Sequence, residues 1–139
     1  TCALPISMSA SRVEVGPDGA PVLGGFPGTG VGGATFAKFS AGGDPLWTNP
    51  DASGVGLLLP SALLVDAAGA AYLSGATLVD MGVAKVDADG AAAWSTLLPG
   101  GTTTGMVLGS ADQLYLAGGI YTARIDQVQA DDIFATGFE

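Results

Sequence analysis

The sequence predicts an all-β chain assembled from repeated units of four short antiparallel strands. Three observations predict it. A twelve-residue segment recurs without a gap, glycine-containing turn formers punctuate the chain at short intervals, and no stretch carries a sustained 3.6-residue apolar period. FAKFSAGGDPLW (36–47) lies over VAKVDADGAAAW (83–94) at an offset of 47, which sets Phe36 on Val83, Lys38 on Lys85, Gly43 on Gly90 and Trp47 on Trp94. Upstream, SRVEVGPDGAPVLGG (11–25) lies over SALLVDAAGAAYLSG (61–75) at an offset of 50, with Gly19 on Gly69, Leu23 on Leu73 and Gly25 on Gly75. One loop of the first unit is therefore three residues longer.

A third copy follows in MVLGSADQLYLAG (106–118), which places Tyr115-Leu116 on Tyr72-Leu73. TARID (122–126) then repeats VAKVD (83–87), with Arg124 in the lysine position. Leu4-Pro5 corresponds to Leu98-Pro99 two periods on, so Thr1 is expected to start just after a tryptophan that this chain lacks.

Taken in order, the first unit reads as strands VEV (13–15), PVLGG (21–25), TFAKFS (35–40) and PLWT (45–48). They are separated at Pro17-Asp18-Gly19 and Gly42-Gly43-Asp44. The second reads as ALLVD (62–66), AAYLSG (70–75), GVAKVD (82–87) and AAAWST (91–96), joined at Ala68-Gly69 and Asp89-Gly90. Glycine at these corners supplies the positive φ of tight hairpins. The third unit lacks the tryptophan strand, and Asp112-Gln113 stands where a turn glycine is expected. Short strands poor in charge and rich in Val, Leu and Tyr suit sheets buried on both faces. Four strands in a period near 47 are the mark of a β-propeller blade, here in an incomplete ring with blades over about 11–48, 61–98 and 106–127.

Those units, over about residues 11–127, resemble the bacterial β-propeller repeat of the SBBP type. The segment VAKVDADGAAAWSTLLPGG (83–101) and the half LLVDAAGAAYLSGAT (63–77) carry the likeness. Ala70 and Ala20 depart from it, where an Asn is common. The double glycines and spaced tryptophans are also similar to kelch repeats, a weaker match without the fuller kelch pattern. The SBBP resemblance implies an exported or cell-surface bacterial propeller, and it implies no catalytic residue.

Composition narrows the function. The 139 residues hold 23 glycines, and only 12% are charged where a quarter is usual. Thirteen acids against four bases leave a net charge of −9, which argues against nucleic acid and against anionic membrane surfaces. The longest uncharged run, Gly90 to Ala111, is broken by Pro99, Gly100, Gly101 and Thr102 to Thr104, so no membrane-spanning helix is expected. There is no histidine, hence no Ser-His-Asp or Cys-His catalysis. The single cysteine, Cys2, cannot form an internal disulfide and reads as a small buried apolar side chain.

Several constellations resemble sites by spacing or residue type. Asp87-Ala88-Asp89-Gly90 has the opening spacing of a calcium loop, but Ala91, Ala92, Ala93 and Trp94 follow, so an Asp-Gly hairpin turn is expected. Gly25 to Gly30 brushes against phosphate-loop spacing without the Gly-Lys-Ser/Thr that should follow, and reads as a linker. Lys38, Lys85 and Arg124 recur once per unit and are expected to pack their stems between sheets while the charge reaches water or a nearby Asp. Trp47 and Trp94 are expected to pack between units rather than to stack on sugars. Asp66, Asp80, Asp87 and Asp126 are candidates for a glycosidase pair by type alone, and nothing selects two of them.

No catalytic, cofactor-binding or metal residue is therefore assigned. The expected role is a non-catalytic, exported scaffold or interaction module, whose remaining blades come from a longer chain or from self-association. The alternative is a piece of a propeller enzyme, polysaccharide-active or quinone-dependent, with its chemistry elsewhere. A calcium-stabilised adhesive module is a third. The last residues, VQADDIFATGFE (128–139), leave the repeat as an acidic tail in which Ile133, Phe134 and Phe138 are unusually apolar. They are similar to short Ile-Phe…Gly-Phe-Glu tails on some exported bacterial proteins.

Overall fold

A computed structural model describes residues 8–27, 33–50, 59–77, 79–100, 103–110, 112–118 and 121–127. Among them there are eleven strands and no helix. The first sheet runs β1 (Met8–Val15), β2 (Pro21–Pro27), β3 (Thr35–Phe39) and β4 (Pro45–Asn49), in that order across the sheet. The middle sheet runs β5 (Leu59–Val65), β6 (Ala71–Ala76), β7 (Asp80–Val86) and β8 (Ala92–Pro99). The third has β9 (Gly105–Leu108), β10 (Gln113–Gly118) and β11 (Tyr121–Asp126). Every pairing is antiparallel between consecutive strands, so each sheet is a simple meander. The expected strand runs each fall on one of these elements, most of them extended by a few residues.

The local chemistry of the turns explains why the strands reverse where they do. Gly16 and Gly19 donate to Ala20 and Gly16 carbonyls, and Asp66 and Gly69 donate to Ala70 and Asp66 carbonyls in the same pattern. The β3–β4 and β7–β8 turns repeat it at 40–44 and 87–91. In all four, the residue before the last is a glycine with φ between 78° and 94°. The β9–β10 turn keeps the same closing bond, Gly109 N to Gln113 O, with Asp112 in the left-handed conformation at φ 58°. The absent turn glycine thus leaves the hairpin geometry intact, because aspartate is among the few side chains that tolerate this region.

The register irregularities also match between sheets. β1 slips between Ala10 and Arg12 against β2, and β5 slips between Pro60 and Ala62 against β6. Gly25 and Gly75 sit opposite these bulges, where a Cβ would run into the Ser9 and Leu59 carbonyls. That close approach accounts for a glycine at both positions.

The three sheets stack face to face, with the middle one covered on both sides. Val22, Ala34 and Phe36 of the first sheet pack on Ala71, Leu73, Ala84 and Val86 of the middle sheet, with Trp47, Leu63 and Val65 around them. On its opposite face Tyr72, Met81, Val83 and Leu98 meet Leu114, Leu116 and Ala123, flanked by Trp94, Met106 and Ile125. All six residues of β6 are buried, which is why that strand reads as small and apolar at both parities. Between sheets the backbones come closest along β1–β5 and β5–β9, with β2 also near β5, and the outer strands β4 and β8 make no comparable approach. The stack therefore opens like a fan away from the β1, β5, β9 edge.

Trp47 ties two sheets at the wide side. Its indole covers Gly90 and its Nε1 donates to the Ala88 carbonyl at 2.9 Å, while Asn49 Nδ2 donates to the Gly90 carbonyl at 2.8 Å. A Cβ on Gly90 would lie 2.6 Å from Trp47 Cδ2, and φ there is +88°. Gly19 has a similar φ with nothing within 4 Å. Gly19→Ala is accordingly expected to cost about 1 kcal/mol from backbone strain alone. Gly90→Ala is expected to cost about 2–4 kcal/mol, because the indole must also move. Urea unfolding of both variants measures the difference, and equal losses would show that the Trp47 contact carries no energy.

Candidate functional site

The hairpin turns at 16–20, 40–44, 66–70, 87–91 and 109–113 gather at one end of the stack, as the contacts Gly16 to Val65, Trp47 to Ala88 and Gln127 to Asp112 require. Six carboxylates sit in these described turns, Asp18, Asp44, Asp66, Asp87, Asp89 and Asp112. The unit-repeating cations Lys38, Lys85 and Arg124 point to the same end, and each finds a different partner.

Lys38 is buried, its stem between the first two sheets opposite Val22 and Trp47, and Nζ reaches Asp18 Oδ2 at 2.6 Å. The hydrogen bond from Lys38, supported by the Ala20 amide, holds the Asp18 carboxyl below its ordinary value of 3.8. In the middle sheet the residue in the Asp18 position is Ala68, so Lys85 has no such acid. It crosses instead to the third sheet, where Nζ donates to Gln127 Oε1 at 2.8 Å while lying 5.1 Å from the centre of the Tyr72 ring. Arg124 forms a two-pronged pair with Asp126, Nε and Nη2 each at 2.8 Å, and lowers that carboxyl as well.

Gln127 is the hub between the middle and third sheets. Its Oε1 lies 2.9 Å from the Tyr72 hydroxyl and its Nε2 donates to the Asp112 carbonyl at 2.8 Å. The Tyr72 hydroxyl is also 3.0 Å from Asp66 Oδ2, and with one proton it serves either acceptor at a time. Burial raises the Tyr72 phenol well above its ordinary value, and the nearby Asp66 charge adds to the rise. Trp94 closes the cluster edge-on, its ring centre 6.2 Å from that of Tyr72. Gln127 follows directly on the TARID match at 122–126, and its type carries no chemical flag in the sequence. Only the crossing of Lys85 reveals it.

The remaining expected residues fall as follows. Both tryptophans pack between sheets. Asp66 spends Oδ1 on the amides of Ala68 and Ala70 and Oδ2 on Tyr72. Asp89 Oδ1 accepts from the Ala91 amide within the 87–91 hairpin. Asp80 lies at the opposite end, bonded through its backbone to Thr77, so it does not share a cleft with Asp66, Asp87 or Asp126. Among the described residues no group of three His, Cys, Asp or Glu is placed to hold a metal ion, and no helix is long and apolar enough to cross a membrane. Cys2, the Leu4-Pro5 pair, the Gly28 to Gly30 part of the glycine-rich linker and the 128–139 tail lie outside the described residues.

The other notable surface is apolar. The outward face of the third sheet carries a shallow depression of about 200 Å³ lined by Val107, Tyr115, Ala117 and Thr122. The outward face of the first sheet exposes Val13, Val15 and Leu46. The class so defined is an all-β protein of stacked antiparallel meanders with a polar cluster at its hairpin end. No known protein-family model matches the chain, and no curated protein is recognisably similar to it.

Two outcomes follow from the cluster. A depressed carboxyl stabilises the fold above its ordinary pKa and loses that contribution as pH falls through the lower folded-state value. Thermal stability should therefore fall as pH drops below 3.8, and Asp18→Asn should be less stable at pH 7 with a shallower acid limb. An unchanged limb in the variant would remove the Lys38 pair as its source. Gln127→Ala should cost about 1–3 kcal/mol, since it strips partners from Lys85, Tyr72 and the Asp112 carbonyl together. Equilibrium unfolding in urea reads that loss.

Proposed function

We propose that this chain is a segment of an exported bacterial β-propeller of the SBBP type, acting as a non-catalytic scaffold that presents its hairpin end to a protein or glycan ligand. The observation that carries the reading is the fan. Four-stranded meanders that approach along one edge strand each, and diverge toward the other edge, have the wedge shape that radial packing about an axis needs. The offsets of the sequence repeat, with matching turns and bulges at both hairpins, support the same reading.

Three sheets are fewer than a ring requires, and the two outermost faces carry exposed Val13, Val15, Val107 and Tyr115. In this reading they are blade-packing faces. Four of the carboxylates are tied into the fold: Asp66 and Asp89 are bonded to their own turns, Asp18 and Asp126 to cations. The acidic hairpin end would repel polyanions, which leaves neutral or basic ligands.

The reading is tested by incubating the purified chain with chromogenic glycosides and, separately, with alcohol or sugar substrates, a quinone cofactor and a reducible dye. No turnover above buffer is expected. Turnover that disappears on unfolding would overturn the scaffold assignment in favour of a catalytic one.

A further inference from the structure

Lys85 meets a carboxamide where its counterpart in the first sheet meets an acid. Lys38 pairs with the Asp18 carboxylate, whereas among the described residues no carboxylate stands within ion-pair reach of Lys85. Its Nζ lies 2.8 Å from Gln127 Oε1, and the Tyr72 hydroxyl lies 2.9 Å from the same oxygen. Gln127 Nε2 in turn donates to the Asp112 carbonyl at 2.8 Å. One half-buried cluster thus gathers an amine, an acyl carbon, a donor for the acyl oxygen and an acceptor that holds the amide nitrogen.

We propose that this pair is a site of self-modification, at which an isopeptide bond forms between the Lys85 amine and the Gln127 carboxamide. Nζ needs to pass only from Oε1 to the carbon that bears it, one carbonyl bond of about 1.2 Å away. After losing a proton, Nζ donates its lone pair to Gln127 Cδ while the carbonyl π electrons move onto Oε1. The tetrahedral centre then collapses: the carbonyl re-forms, the Cδ–Nε2 bond breaks, and a proton passes from Nζ to Nε2. Ammonia leaves and takes up the proton that Lys85 first released. A lysine ammonium and a carboxamide thereby become an amide and an ammonium ion, and the step balances without a further reactant.

Three features of the cluster favour the reaction. The first is position. Lys85 lies on β7 and Gln127 directly follows β11, and the apolar interface of Val83, Leu114, Leu116 and Ala123 holds those strands together. Groups positioned in this way react with effective molarities that reach about 10⁵–10⁸ M.

The second is the Tyr72 hydroxyl. Its one proton serves Asp66 or Gln127, and negative charge growing on Oε1 draws it to the acyl oxygen. Burial holds this phenol well above its ordinary value, so it remains a donor at the alkaline pH that frees the amine. The third is mass action. One amide replaces another, while the ammonium is diluted into solvent and the tethered amine stays at high effective concentration. The bond fastens the third sheet to the middle one at the hairpin end. It requires neither the repeat assignment nor a ligand, and so goes beyond the scaffold reading.

The test is the intact mass of the folded 139-residue chain, followed over days at mildly alkaline pH. A species lighter than the sequence mass by one ammonia should accumulate, and peptide mass spectrometry should find Lys85 and Gln127 joined. Lys85→Arg keeps the charge and removes the nucleophile, and Gln127→Ala removes the acyl group, so each should hold the full mass. Tyr72→Phe keeps the ring and should form the bond at least about 100-fold more slowly.

A full mass throughout in the folded, β-rich wild type would overturn the proposal. Loss of ammonia that persists in Lys85→Arg, or that proceeds equally in the chain unfolded in urea, would overturn it too, because neither needs this cluster. Equal rates in Tyr72→Phe and the wild type would overturn the part given to the hydroxyl. None of these results bears on the scaffold reading, which stands or falls on substrate turnover.

Discussion

The structure depends on covering both faces of the middle sheet. β6 has no exposed residue, and Leu73 and Tyr72, adjacent in sequence, point into two different cores. A meander with apolar side chains at both parities cannot choose one face for water, so it is stable only when sheets flank it on both sides. Each fully buried Leu, Val or Phe contributes about 1.5–3 kcal/mol, and the two interfaces hold most of the large buried side chains. The first and third sheets inherit the same pattern with only one neighbour each, and their exposed Val13, Val15 and Val107 are the consequence.

The polar groups solve a geometric problem set by that packing. A long basic side chain recurs at the third strand of each unit with its head at the hairpin end. The stems of Lys38 and Lys85 lie between sheets, whereas Arg124, expected to do the same, lies on the outward face of the third sheet, where no described sheet covers it. What neutralises the head depends on the neighbouring turn. Asp18 in the β1–β2 turn serves Lys38 of β3 within the same sheet, whereas Ala68 in the equivalent turn sends Lys85 across to Gln127 and the Tyr72 ring. The first solution ties a turn to the next strand of its own sheet. The second ties two sheets together, with Asp66, Tyr72, Gln127 and the Asp112 carbonyl sharing one set of hydrogen bonds. A small change in turn composition thereby converts a local ion pair into an intersheet link. Ser74 Oγ, fully buried on the same face without a hydrogen-bond partner, is the one polar atom for which the described contacts offer no account.

Chemistry and architecture are separable here. At the hairpin end Asp18, Asp66 and Asp89 bond to turn amides, a phenol or a cation, as structural acids do, and the excess of negative charge there repels anions. The exposed apolar surface lies elsewhere, on the outward faces of the first and third sheets.

The sequence by itself determined the strands and the turns, because both are local. Alternating short apolar runs cannot form helices, and the turn glycines demand φ values that few other residues adopt. The match of Lys38 to Lys85 and of Trp47 to Trp94 was legible for the same reason, since a repeated local environment selects a repeated residue. Tertiary structure alone decided what those residues touch. Asp112 holding a left-handed turn, Trp47 lying on Gly90 of another sheet, and Gln127 receiving Lys85 all join positions distant in sequence or rely on a residue without a local signature. Which strands gather at the narrow edge was likewise undetermined, because a meander read along the chain has the same turns whichever edge faces the axis. Only the stacking of β1, β5 and β9 fixes it, through the side chains that fill the space between sheets.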